Sequence, residues 1–290
     1  MFRVTHLCVK SFAALRWRKH GLSRYSERKK MFLTEIIELK KKRLEIAKAN
    51  RDFDELKSFA ILKRETAKNH HLRENLQRNQ INIIAEIKRA SPSKGVINDK
   101  IDVAEVARNY ENGGAIAISV LTEEDRFKGS LDDLKLARKA VELPILRKDF
   151  IFDEFQIYEA AEAGADVILL IAAMLDDEVL EKLHHLIEQD LKLDALVEVH
   201  TLEELERVKN IGAKIIGINN RDLQTFKVSL DVSRELIKSV PKDALMITES
   251  GISNKDEILE LRALGFAGFL IGETLMRSGN IEKELKDLTT

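Results

Sequence analysis

A single cysteine, Cys8, stands in 290 residues. It excludes an internal disulfide and any cysteine-ligated zinc site, and it suits a reducing compartment. Only three prolines occur, and no stretch rich in Pro, Gly or Ser divides the chain, so the sequence reads as one folding unit. An excess of either charge is missing as well. With 48 Lys and Arg against 49 Asp and Glu, the formal net charge is −1, which provides no global field for nucleic acid or an acidic membrane. The longest apolar run, Val167 to Leu175, falls far short of the roughly 18 residues of a membrane span. What remains is a protein for a small molecule, with 44% hydrophobic residues to build a large core.

Residues 1–30 differ from the rest: they are rich in Arg, Lys and His, carry one acid (Glu27), and hold the only Trp and the only Cys. They fit a chain start misassigned upstream of Met31. Glu27-Arg28-Lys29-Lys30 would be encoded by nearly pure purine codons, as a bacterial ribosome-binding site is. A basic targeting segment and a floppy extension are the other readings. Function is expected after Met31.

From Thr34 to Asn50 the spacing predicts a helix. Thr34 is its N-cap, Ile36, Ile37, Leu39, Leu44 and Ile46 its apolar stripe, and the basic run Lys40 to Arg43 a solvated face. A less regular helical region follows. Then short apolar segments at 83–89, 115–122, 144–149, 166–173, 195–200, 215–220, 245–250 and 268–272 alternate with amphipathic ones such as Val103–Asn112, Glu154–Ala163 and Lys255–Leu264. Strand followed by helix, repeated about eight times, predicts an α/β fold: a single (β/α)8 TIM barrel.

The barrel turns strand parity into geometry, because inward residues near the strands' C-terminal ends form an active-site floor. Strand one ends with Glu86 and Lys88, strand three with Lys148, strand five with Glu198, strand six with Asn219 and Arg221, and strand seven with Glu249. Their alternate neighbours, such as Ala85, Ile87, Val197 and Ile218, are apolar and would face the helices; Thr248 is the polar exception. Any one of these charges alone reads as a solvated strand end. Seven polar groups at one end of one barrel read as a pocket, since burying them unpaired costs several kcal/mol each. Ser250-Gly251 after strand seven and Gly272-Glu273 after strand eight lie where such barrels hold phosphate on backbone N–H groups.

The histidines add little. His200 shares the parity of Glu198 and is expected at the pocket rim. His70-His71 and His184-His185 have no carboxylates at ligand spacing, so no metal site is expected.

The motifs IIAEIKRASPSKG, SVLTEEDRFKGS, PILRKDFIFDEFQIYEA, GADVILLI, LVEVH, IGINNRDL, TESGI and FLIGETLM occur in one order between Thr34 and Leu288. In them the chain resembles the indole-3-glycerol-phosphate synthase family of tryptophan biosynthesis. The resemblance implies an N-terminal helical extension over the barrel mouth and a domain spanning 31–290 that includes the helices of 34–75. It implies a cofactor-free reaction: ring closure of 1-(2-carboxyphenylamino)-1-deoxy-D-ribulose 5-phosphate to indole-3-glycerol phosphate, carbon dioxide and water. By motif match Lys148 is the general acid at the ketone, Glu198 the base of the dehydration, and Glu86 a partner for substrate hydroxyl protons. Lys88 holds the carboxylate or the phosphate and is a second candidate acid. Asn219 and Glu249 position the sugar chain, and Arg221 the carboxylate region. Ser91, Ser250, Gly251, Gly272 and the backbone of Glu273 take the phosphate, the Glu273 side chain having to turn away. Pro92, Phe127 and Leu169 flank the aromatic ring, although Phe127 by itself also reads as a core residue. The resemblance further implies a cytoplasmic monomer or homodimer of stand-alone form, free of nucleic acid and membrane, in weak association with other enzymes of the pathway. Two alternatives stand beside it. A phosphoribosylanthranilate isomerase would need a cysteine base on strand one, where Glu86 and Lys88 stand, and a catalytically dead scaffold would have lost a floor Lys or Glu.

Overall fold

In the computed structural model, residues 33–92, 94–222 and 225–289 are described; the expectations for residues 1–30 lie outside them. The described residues form a closed parallel barrel of eight strands: β1 Ile83–Ile87, β2 Ala117–Leu121, β3 Ile145–Lys148, β4 Val167–Ile171, β5 Asp194–Val199, β6 Ile215–Asn219, β7 Leu245–Glu249 and β8 Gly268–Ile271. Ring closure is set by β1, where Ile84 pairs with Ala117 on one side and Ile83 with Phe269 on the other. Each strand lies within one or two residues of its predicted span. β1 stops at Ile87, short of the expected Arg89, and gives way to a two-stranded hairpin, Ala90–Ser91 with Gly95–Val96, so Lys88 projects from the bend between them.

Alternation sorts the strand residues into two cores. Ala85, Ile87, Val197, Val199, Ile216 and Ile218 pack outward against the helices, while Ile84, Leu146, Leu169, Leu196, Ile215 and Ile247 fill the barrel interior. The helices follow from their caps: Asp102, Ser130, Asp153, Asp176, Thr201 and Asn254 each accept a backbone N–H of the first turn. Thr248, the polar exception, is buried and bonded to Asn220 and Ser233.

Among the described residues, three helices precede β1 and serve both ends. Helix α1 (33–50) crosses the mouth, with Ile36 joining the interior core. Thr34 lies within this helix, not at its cap, and Ile46 is exposed, so the apolar stripe is narrower than expected. Of the basic run, Lys41, Lys42 and Arg43 are exposed, as a solvated face requires, and Lys40 is the exception. Lys40 is buried and donates to Asp149 at 2.8 Å, and Arg43 donates to Asp125 at 2.9 Å. Helix α2 (Phe53–Glu65) packs on the helix Glu154–Ala163, with Phe53 stacked on Phe155 at 5.9 Å between ring centres. Helix α3 (His71–Leu76) goes to the opposite end, where Leu72 and Leu76 close the bottom of the interior. A Cβ on Gly268 would strike Leu76, and Asn82 donates to the carbonyl of Ala267 at 2.9 Å. Residues 33–76 are therefore not a detachable cover: they reach into the plug of the barrel itself.

Candidate active site

All fifteen residues given a catalytic or substrate-binding role from the sequence line one cavity of about 690 Å³ at the C-terminal ends of the strands. Three carboxylates and two ammonium groups make its floor. The Lys148 ammonium, at the end of β3, donates to Glu198 Oε2 at 2.9 Å and stands 3.3 Å from Glu249 Oε2. Lys88 donates to Glu86 Oε1 at 2.6 Å. Glu86, Glu198 and Glu249 are buried, and two glycines make room for them: a Cβ on Gly217 would strike the Glu249 carboxylate, and one on Gly272 the Glu86 side chain.

Burial and neighbours drive the floor groups apart. Burial alone pulls the Lys148 ammonium down, but Glu198, Glu249 and Glu86 outweigh it and hold its pKa above the ordinary lysine range. Burial pushes Glu198 up, yet Lys148 and His200 bring it down to about 2. Glu249 goes the other way: burial raises it, Lys148 offsets only part, and Glu198 and Glu86 push further, to about 7. Neither Glu249 oxygen has a hydrogen-bond donor in line with it. The floor thus offers a cationic donor, an ionised acceptor and a carboxyl group poised to exchange a proton near neutrality.

The walls divide by chemistry. On one side the chain turns through Ser250 and Gly251, which line the cavity and both have positive φ (67° and 88°), an unfavourable conformation for the serine. Gly272 and Glu273 lie beside this turn on the cavity wall. The Glu273 carboxylate leans toward Arg277 at 3.3 Å and Lys94 at 3.6 Å. Ser91 and Pro92 complete this side, and Arg221 donates its backbone N–H to Asn219 Oδ1 at 3.0 Å. On the other side Phe127 faces Phe150 at 6.3 Å between ring centres, with Leu169 on the wall. Phe127 belongs to the interior core and to the cavity wall alike.

Two groups that the sequence reading passed over, Glu123 and Asp149, and one that it placed at the pocket rim, His200, hold this geometry. Fully buried Glu123 accepts the backbone N–H groups of Asp125, Arg126 and Phe127 at 3.0, 2.7 and 2.9 Å, which fixes the loop that carries Phe127. An acid at the head of a short loop was the available signal. Asp149, next to Lys148, accepts from Lys40, from Thr122 at 2.6 Å and from Arg147 at 3.2 Å, tying α1 to the end of β3. His200 is not at the pocket rim: it is absent from the cavity wall and stands behind Glu198, Nε2 to Oε1 3.5 Å.

At the barrel's other end the fold gives His70 the carboxylates its sequence surroundings lack. Its Nδ1 lies 3.6 Å from Glu188 Oε2 and 3.5 Å from Asp194 Oδ1, so ligand spacing exists there after all. Arg73 already bridges the same oxygens, at 2.5 and 3.2 Å, and its guanidinium supplies the cation.

The family described as indole-3-glycerol phosphate synthase matches residues 33–288. An indole-3-glycerol phosphate synthase of Desulfosudis oleivorans is 46% identical over 261 residues, covering 89% of this chain and 98% of the relative. One from Aquifex aeolicus is 53% identical over 209 residues, 71% of this chain and 80% of the relative. Among solved structures, 3-hexulose-6-phosphate synthase from Salmonella typhimurium superposes with a TM-score of 0.57 at 14% identity, over 72% of this chain and 96% of that one, which shows the barrel alone. No helix among the described residues is long and apolar enough to cross a membrane. The chain belongs to the indole-3-glycerol phosphate synthase family, decarboxylating lyases of tryptophan biosynthesis.

Proposed function

We propose that the floor groups divide the ring closure among themselves as follows. The substrate, 1-(2-carboxyphenylamino)-1-deoxy-D-ribulose 5-phosphate, lies with its phosphate on Ser91, the Ser250-Gly251 turn, Gly272 and the backbone of Glu273. Its aromatic ring lies between Pro92, Phe127 and Leu169. The ring carbon bearing the carboxylate attacks the ketone carbon, and the electron pair of the C=O bond moves to oxygen. Lys148 gives that alkoxide its proton. A proton held as tightly as this one suits a strongly basic alkoxide better than a resting ketone. The bond to the carboxylate then breaks, carbon dioxide leaves, and its electron pair restores the aromatic ring. In the last step the new hydroxyl departs as water with a proton from an acid, Lys88 or the recharged Lys148. Glu198 takes the proton from the adjoining CH₂ carbon, and the new double bond completes the indole. Glu86 exchanges protons with the substrate hydroxyls, Asn219 and Glu249 hold the sugar chain, and Arg221 holds the carboxylate until it leaves. No cofactor enters this sequence of steps.

The observation that carries this reading is the Lys148 ammonium, 2.9 Å from an ionised Glu198 and 3.3 Å from Glu249, on the floor of the cavity. The test is to supply the synthetic substrate and follow indole fluorescence together with released carbon dioxide. Equal amounts of both are expected; release of carbon dioxide without indole would overturn the assignment of Glu198. Residues 31–290 acting as one unit, a monomer or homodimer in the cytoplasm and loose association with other tryptophan-pathway enzymes belong to the same reading and follow from the family alone.

A further inference from the structure

His200 follows β5 and turns its ring between two carboxylates. Nε2 lies 3.5 Å from Glu198 Oε1 and Nδ1 3.5 Å from Glu204 Oε2. Glu204, in the first turn of the helix Leu202–Asn210, also accepts the backbone N–H of His200 at 2.7 Å, so ring and backbone are anchored on one group. The side chain is 13% exposed, and neither ring nitrogen has another hydrogen-bond partner. From β7, Glu249, when ionised, adds a smaller electrostatic pull that favours the charged ring. The nearby cation, Lys148, is engaged on the other oxygen of Glu198.

This arrangement matters when Lys148 does its work. Lys148 cannot steady Glu198 while its proton is on the substrate oxygen, because it is then a neutral amine. A buried carboxylate that loses its cation shifts or takes up a proton. We propose that His200, as an imidazolium, is a positioning residue for Glu198: it holds the carboxylate from the side opposite Lys148 and keeps it ionised through the proton transfers. Burial works against a charged His200, but Glu204 and Glu198 outweigh it and raise the imidazole above its ordinary value. The inference rests on the assignment of Glu198 as the base.

The test compares His200→Gln, Glu204→Gln and Glu198→Gln with the parent enzyme, in turnover, Michaelis constant and melting temperature, from about pH 5 to about pH 9. The parent should lose kcat on the alkaline side as the His200 imidazolium, held above its ordinary value, gives up its proton, and His200→Gln should lack that alkaline limb. Turnover should fall about tenfold with the Michaelis constant changed by less than about twofold, because the substrate contacts remain. Glu204→Gln keeps the backbone hydrogen bond and loses only the charge, so it should lower the imidazole pKa and move the alkaline limb of kcat to lower pH. A folded His200→Gln with the parent limb and turnover overturns the inference; if that variant does not fold, an unmoved limb in Glu204→Gln overturns it. Glu198→Gln separates the two readings. If it keeps more than about a tenth of turnover, the base assignment falls and this inference with it; if it is inactive while His200→Gln behaves as the parent, this inference falls alone.

Discussion

At the bottom of the barrel Arg73 closes on Glu188 and Asp194 while Leu72 and Leu76 fill the space between the strands. At the mouth Lys148 stands among Glu198, Glu249 and Glu86 beneath a cavity of about 690 Å³. Both ends bury acids beside a base, yet at the bottom the cation bridges two carboxylates under a plug, and at the mouth a carboxyl group is left without an aligned donor. Charge balance around a filled barrel interior makes a brace, even with a small cavity of about 230 Å³ beside Arg73 and Glu188. Charge crowding with space left over makes a place where a proton can move.

Substitutions at the two ends should therefore fail in different ways. Lys148→Ala should lower turnover by about 10²- to 10⁴-fold with little change in substrate affinity, as steady-state fluorescence kinetics would read. More than a tenth of normal turnover would pass the role of acid to Lys88. Arg73→Ala should do the reverse. It leaves two buried carboxylates without their bridge and should cost about 2 kcal/mol, less than a fully buried pair because the arginine is partly exposed. That is roughly 4 to 8 °C in melting temperature at unchanged kcat.

Ser250→Glu sets an anion on the phosphate wall and should raise the Michaelis constant about tenfold or more, with turnover at saturation much less affected. Lys40→Met keeps the stem of a buried side chain but takes one cation from Asp149. A severalfold loss in kcat/KM is expected, since Arg147 and Thr122 still hold that carboxylate. The smallest effect is on stability against pH. Glu249 is held near 7 in the folded protein, above its unfolded value, so the native state binds its proton more tightly. Its contribution therefore destabilises the fold increasingly as pH rises from about 4.5 toward 7. Glu249→Gln should relieve this, with a melting-temperature advantage over the parent that is larger at pH 8 than at pH 5.

How much of this was legible depended on whether the signal is local. Strand alternation placed Ala85 and Ile87 on one face and Glu86 on the other, and a period of two survives any tertiary arrangement. The floor could be read for that reason. Lys40 could not, because its partner Asp149 lies 109 residues away and a buried lysine looks like a solvated one in a basic run. His70 meets Glu188 and Asp194 only when the helix preceding β1 reaches the start of β5. Nor does any local pattern say to which end of a barrel a short helix goes, so α3 was assigned to the mouth with its neighbours. His200 had the right parity, but β5 ends at Val199, and alternation no longer aims a side chain once the strand has stopped.

The plug at the bottom joins the beginning of the chain to its end. Leu76 fits against Gly268, and Asn82 bonds to the carbonyl of Ala267, so neither can find its place until the last strand exists. During synthesis, α3 leaves the ribosome long before β8 does. Until then, Ile84, Leu196 and Ile247 line an open sheet with no floor. The nascent chain thus exposes a growing apolar interior until its last strands emerge, and sealing that surface is among the last events of its folding.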